Sequence, residues 1–168
     1  MTKHKILVSV GSNINKEENT RLGLDGMFEQ FGALSLSRVY ESESVGFSGD
    51  NFFNLVVMAT TSKSIQQVCD ALKHIEAECG RAREAEKFSP RTLDLDLLTF
   101  DDVVCDSPVA LPRDEITYNA FVLQPMADLV PHDIHPCEQK TYQTLWEAFD
   151  KTTQKLWPVP FTWSATQV

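Results

Sequence analysis

Three observations predict an α+β fold for this 168-residue chain. Short apolar runs with the two-residue period of strands alternate with two stretches of helical spacing. Glycines or turn residues punctuate most of these segments. No internal repeat, low-complexity stretch or interdomain linker interrupts the series. The segments fall in the order β-α-β-β-α-β, the ferredoxin-like arrangement of a mainly antiparallel sheet with helices packed on it. A helical extension follows at the C-terminal end, and residues 1–168 read as one domain.

The first strand runs from Lys5 to Val10 and is stopped by Gly11-Ser12-Asn13. Asn19 or Thr20 is positioned to cap a helix that continues to about Phe31, with Gly32 as its stop. Leu34, Leu36 and Val39, with serines between them, form a second strand. A polar loop from Glu43 to Asn51 separates it from a third, Phe52 to Thr60, whose nearly unbroken apolar run suits a central strand. Ser64 and Gln67 make a capping-box pattern. The helix it opens repeats Val68, Leu72, Ile75 and Cys79 at helical spacing and ends at Gly80. A cation-rich loop, Arg81 to Arg91, enters the fourth strand, Thr92 to Phe100. Asp101-Asp102 then turns into a short Val103-Val104 strand. Thr117 to Leu129 has helical character, with Pro125 expected to bend or divide it. Pro131 to Pro136 reads as irregular, and Thr141 to Phe149 as a last short helix.

The composition excludes several classes of function. A net charge of −9 argues against a nucleic-acid or anionic-membrane partner. No stretch reaches membrane-spanning length, and the apolar run near the N-terminus suits a strand better than a signal segment. The four cysteines lack metal-finger or redox spacing, which points to free thiols and a reducing cytoplasm. Cys69 reads as a buried thiol, and His132 and His135 as solvated loop residues. A monomer acting on small molecules is the simplest expectation.

The most informative segment is Pro90-Arg91-Thr92-Leu93-Asp94-Leu95-Asp96-Leu97. Alternation puts Asp94 and Asp96 on one strand face and Leu93, Leu95 and Leu97 on the other. Paired acids on an exposed strand are often merely solvated. Here Arg81, Arg83, Lys87 and Arg91 lie just upstream, suited to a polyphosphate. A hard cation such as Mg2+ reconciles two neighbouring carboxylates and brings phosphates with it. No glycine-rich phosphate loop of the Walker or dinucleotide type occurs, so side chains must hold the phosphates. Asn54 is an amide within an apolar strand and needs a partner, either a flat heterocycle or a group on the neighbouring strand. Phe52, Phe88 and Phe121 are available for an aromatic pocket, although most phenylalanines simply pack in cores. Together these residues suggest phosphoryl-type transfer.

Six motifs in one order carry a resemblance: Gly11-Ser12-Asn13, Val45-Gly46, Phe52-Phe53-Asn54-Leu55, Gly80-Arg81-Ala82-Arg83, Pro90 to Asp96, and Phe121-Val122-Leu123. The chain resembles the 6-hydroxymethyl-7,8-dihydropterin pyrophosphokinases of folate biosynthesis, from Lys5 to about His132. The resemblance implies a ferredoxin-like fold and transfer of the ATP diphosphate to the pterin hydroxymethyl oxygen, with two Mg2+ ions and AMP as product. It assigns both metals to Asp94 and Asp96 and the phosphates to Arg81 and Arg91. It places Lys73, Glu76, Arg83, Arg91 and Leu97 around ATP. For the pterin it implies Ser42, Val45, Phe52, Asn54, Phe88 and Phe121. Arg113 stands where much of the family has a histidine and is assigned to the ATP edge; Asn119 stands near where the family commonly has an arginine. Two alternatives stay open: a catalytically impaired pterin- or nucleotide-binding paralog, and a Mg-dependent phosphotransferase for another heterocycle.

Overall fold

The computed structural model of the chain describes residues 2–13, 15–43, 51–81, 93–152 and 154–164, the side chain of Arg81 excepted. The elements are β1 (His4–Ser12), α1 (Lys16–Phe31), β2 (Ser35–Leu36), β3 (Val39–Ser42), β4 (Phe52–Thr61), α2 (Ile65–Arg81), β5 (Asp94–Phe100), a 3-10 turn (Asp114–Thr117), α3 (Ala120–Leu129), α4 (Tyr142–Ala148) and β6 (Leu156–Val159). The sheet order is β5-β1-β4-β3-β6, with β2 also on β4, and its pairings are antiparallel. The first four places in that order are the ferredoxin-like arrangement. β6 adds an edge strand beyond Phe149, where the sequence suggests no element.

Alternation along the strands sends apolar side chains to both faces. On one face Ile6, Val8, Val10, Leu55, Val57, Leu95 and Leu97 meet Leu24 and Met27 of α1 and Val68, Leu72 and Ile75 of α2. On the other, Leu7, Val56 and Leu98 meet Val122, Leu123 and Met126 of α3 and Tyr142 of α4. The sheet is therefore sandwiched between two helical layers. α1 lies close to its neighbours because Gly23 and Gly26 lack side chains. A Cβ at Gly26 would come within 2.9 Å of the branched Ile75. α2 opens with the expected capping box: Ser64 N–H donates to Gln67 Oε1 (2.8 Å) and Gln67 N–H to Ser64 Oγ (3.2 Å).

Several local expectations fail for identifiable reasons. α1 starts at Lys16, with left-handed Asn15 before it (φ 41°), so Asn19 and Thr20 are buried within the helix instead of capping it. Gly11 and Ser12 belong to β1 because β4 pairs with both and β5 pairs with Gly11. The second strand is split: Ser37 exchanges bonds with Val56, its N–H donating to the carbonyl and its Oγ accepting from Val56 N–H. Val103-Val104 is not a strand; Cys105 instead bridges to Leu111. Pro125 sits inside α3 without dividing it. His135 is buried and structural, its Nδ1 accepting from Cys137 and Glu138 N–H, each at 3.0 Å. Burial lowers its pKa.

α3 is tied to the sheet by one polar junction. Tyr40 on β3, completely buried, donates to Asp128 on α3, and Arg38 donates to both (2.7 Å to the Tyr40 hydroxyl). Burial, and then the bond to Asp128, raise the tyrosine pKa.

Candidate functional site

The sheet face beneath α3 changes character along its strands. Under the helix it is Leu7, Val56 and Leu98. Further on, the same face carries Ser9 paired with Asp96, and Gly11 paired with Asp94 on one side and Asn54 on the other. Directly paired residues share a face, so small and polar side chains replace the apolar layer, and a cavity of about 350 Å³ opens. Its walls include Ser42, Phe52, Asn54, Asp94, Asp96 and Phe121. That volume lies in the range of small-molecule sites.

A second cavity, of about 540 Å³, runs along the outer edge of β5, between α2 and the segment ending at Arg113. Lys73, Glu76, Asp94, Asp96, Leu97 and Arg113 are among its lining residues. Asp94 and Asp96 line both cavities. Among the described residues, the sequence-derived candidates that line these cavities fall into two sets that meet at the paired aspartates.

Individual side chains are set by their neighbours. Asn54 is buried and donates from Nδ2 to Ser42 Oγ at 3.0 Å, so a partner on the neighbouring strand meets part of its hydrogen-bonding need. Its Oδ1 lies over Gly11, where an added Cβ would approach to 3.3 Å. Glycine at that position keeps this wall of the cavity open. Glu76 Oε2 accepts the Leu95 N–H at 2.7 Å and so covers part of the exposed edge of β5. Arg113 is pinned to the same edge: its N–H donates to Leu98 O (2.9 Å) and its Nε to Leu97 O (3.2 Å). Its Nη2 stands 3.7 Å from Asp96 Oδ1.

Glu115, in the 3-10 turn, also lines the first cavity and escapes sequence reasoning. Burial and then the charge of Asp96 raise its carboxyl pKa, against the opposing effects of Arg113 and a hydrogen bond from Asn119. The only local signal was an acid pair ahead of Phe121. Cys69 is half-buried, packs against the core and also lines the second cavity; burial raises its thiol pKa.

Val45, Arg83, Phe88 and Arg91 lie outside the described residues, as does the side chain of Arg81 at the end of α2. Among the described residues no three of His, Cys, Asp or Glu are placed to hold a metal ion together. A two-aspartate donor set on one face suits Mg2+, which usually takes one or two carboxylates and completes its shell with water and substrate phosphate.

The family model described as 7,8-dihydro-6-hydroxymethylpterin-pyrophosphokinase matches residues 7–131. A 2-amino-4-hydroxy-6-hydroxymethyldihydropteridine pyrophosphokinase of Aquifex aeolicus is 31% identical over 138 residues, 80% of this chain and 86% of that one. The enzyme of the same name from Pseudomonas aeruginosa is 35% identical over 133 residues, 76% of this chain and 81% of its own. Among solved structures, a Plasmodium falciparum HPPK-DHPS triple mutant superposes with a TM-score of 0.69 at 13% identity. That match covers 87% of this chain and 44% of the other, and it speaks for the fold alone.

Proposed function

The chain belongs to the 7,8-dihydro-6-hydroxymethylpterin-pyrophosphokinase family, and on that premise we propose that it transfers the diphosphate of ATP to the hydroxymethyl oxygen of 6-hydroxymethyl-7,8-dihydropterin, releasing AMP, as a step of folate biosynthesis. The observation that carries this reading is the meeting of two cavities at Asp94 and Asp96. A reaction between two substrates needs two sites that share the reacting point, and phosphoryl-type transfer depends mainly on positioning and charge stabilisation there.

In this reading the first cavity takes the pterin. Phe52 and Phe121 offer aromatic faces for stacking. Asn54 is held in orientation by Ser42, and its Oδ1 accepts from the edge of the heterocycle. Burial in the cavity excludes water that would otherwise compete for the diphosphate. The second cavity takes the nucleotide, with the β5 edge at Leu97 beside the base and Lys73 and Arg113 facing phosphate. By family resemblance Arg81 and Arg91 are assigned to phosphate, Arg83 to a further ATP contact, and Val45 and Phe88 to the pterin. Asp94 and Asp96 would hold two Mg2+ ions. When bound, the metal neutralises phosphate charge and makes the transferring phosphorus more electrophilic. The whole chain serves as one catalytic domain, and its four free cysteines suit a reducing cytoplasm.

The test is AMP formation from ATP that requires both the reduced hydroxymethylpterin and Mg2+. Folded protein that binds both substrates and forms no AMP would overturn the proposal.

A further inference from the structure

Arg113 occupies an unusual place. Its backbone and Nε are both anchored to carbonyls of β5, at Leu98 and Leu97. The segment before it is held by the Cys105–Leu111 bridge. The remaining freedom is at the far end of the guanidinium, where Nη2 faces Asp96 Oδ1 at 3.7 Å. That separation is an ion pair beyond hydrogen-bond length, with both side chains partly exposed, so solvent weakens it and it exchanges easily. Asp96 also lines both cavities and is one of the two carboxylates available to a cation.

Resting on the function proposed above, we infer that Arg113 is an internal counter-cation for Asp96 that a divalent metal ion displaces, which frees the guanidinium end to contact nucleotide phosphate. A cation at Asp96 and a guanidinium on the same carboxylate repel each other, so each weakens the other's hold. Once the carboxylate is taken, the fork of Arg113 lies on the wall of the second cavity, which Lys73 also lines. Anchoring at Leu97 limits the motion to a swing of the terminal nitrogens. Metal and nucleotide then bind with positive coupling, and linkage requires the effect to be reciprocal.

The experiment measures Mn2+ binding to the full chain by electron paramagnetic resonance, with and without a non-hydrolysable ATP analogue. Arg113→Met should tighten Mn2+ binding about two- to fivefold without nucleotide, the scale of a partly exposed ion pair. The same variant should reduce the tightening that the analogue produces. Lys73→Met is the control for general charge, since Lys73 lines the same cavity without a contact to Asp96 at ion-pair distance. Equal gains in the two variants, or no gain in Arg113→Met, overturn the inference. Arg113→Gln, which can still donate to the Leu97 carbonyl, replaces the methionine variant if that one melts early. Asp96→Asn separates the two levels: Mn2+ binding that survives it unchanged removes the metal assignment itself, and this inference with it.

Discussion

The two ends of the β1–β5 pair hold acidic residues in opposite settings. At the end where β1 begins, Asp101 accepts the Lys5 N–H at 2.8 Å and pairs with His4 Nδ1 at 2.7 Å, and Lys5 Nζ reaches Asp133. Burial alone would raise the Asp101 pKa, but the Lys5 and His4 contacts outweigh it and lower it. Asp101 and Asp133 there each have a partner close at hand. At the other end, Asp94 and Asp96 stand side by side on one face, lining two cavities, with Arg113 approaching Asp96 only to 3.7 Å. The same residue type makes close pairs at one end and lines two cavities at the other. What differs is whether the carboxylates line a cavity.

This contrast predicts that substitutions at the site end change chemistry and leave melting nearly alone, and that those at the far end do the reverse. The largest effect belongs to Asp96→Asn: AMP release should fall about 10²–10³-fold, the scale of losing a central charge-stabilising group, with a melting temperature within about 2 °C of the parent. A variant that melts far lower would break the comparison by making Asp96 structural. Phe121→Ala should come next, raising the KM for pterin about tenfold while the KM for ATP holds, as expected from a lost stacking face. A parallel rise in both constants would show that the first cavity does not discriminate.

Gly11→Ala should have a smaller effect. The added Cβ meets Asn54 Oδ1 at 3.3 Å, so the amide must shift by a few tenths of an ångström. The KM for pterin should rise about threefold, because recognition depends on the position of that oxygen, and turnover at saturation should change little. An unchanged KM would mean that Asn54 does not read the substrate edge. The smallest effect is at the far end. Asp101→Asn suits the left-handed backbone there (φ 53°) and keeps an acceptor, so it removes the charge alone. It should leave AMP release intact and cost less than about 1 kcal/mol, given the solvent exposure of the pair. The sign follows from the lowered folded pKa. The stabilisation is present above the ordinary aspartate value of 3.8 and is lost as pH falls through the lower folded value, so parent and variant should converge in melting as pH falls below 3.8. A gap that widens in acid would contradict the pairing.

Much of this architecture is legible in local pattern. The period of two from Leu93 to Leu97 shows directly which side chains join the core, because a strand side chain's direction depends only on its own position along the backbone. The capping box at Ser64 and Gln67 is a contact within four residues and is equally readable. The start of α1 was not, because Asn19 and Thr20 are typical capping residues and only their burial places them inside the helix. His135 looked solvated for the same reason: polarity in a loop says nothing of the chain that closes over it.

The sequence by itself determined the β-α-β-β-α-β order of the core, the placement of Asp94 and Asp96 on one face, and the aromatic and amide residues available for a heterocycle. Only the tertiary structure decided that Gly11 joins Asp94 to Asn54 in one row, that Ser42 orients Asn54, that Glu115 enters the cavity, that Arg113 faces Asp96, and that β6 extends the sheet. Local periodicity reports a side chain's direction relative to its own backbone. Which strands become neighbours, and in what register, is settled by the packing of both apolar faces of the sheet at once, and that packing joins residues far apart in the chain.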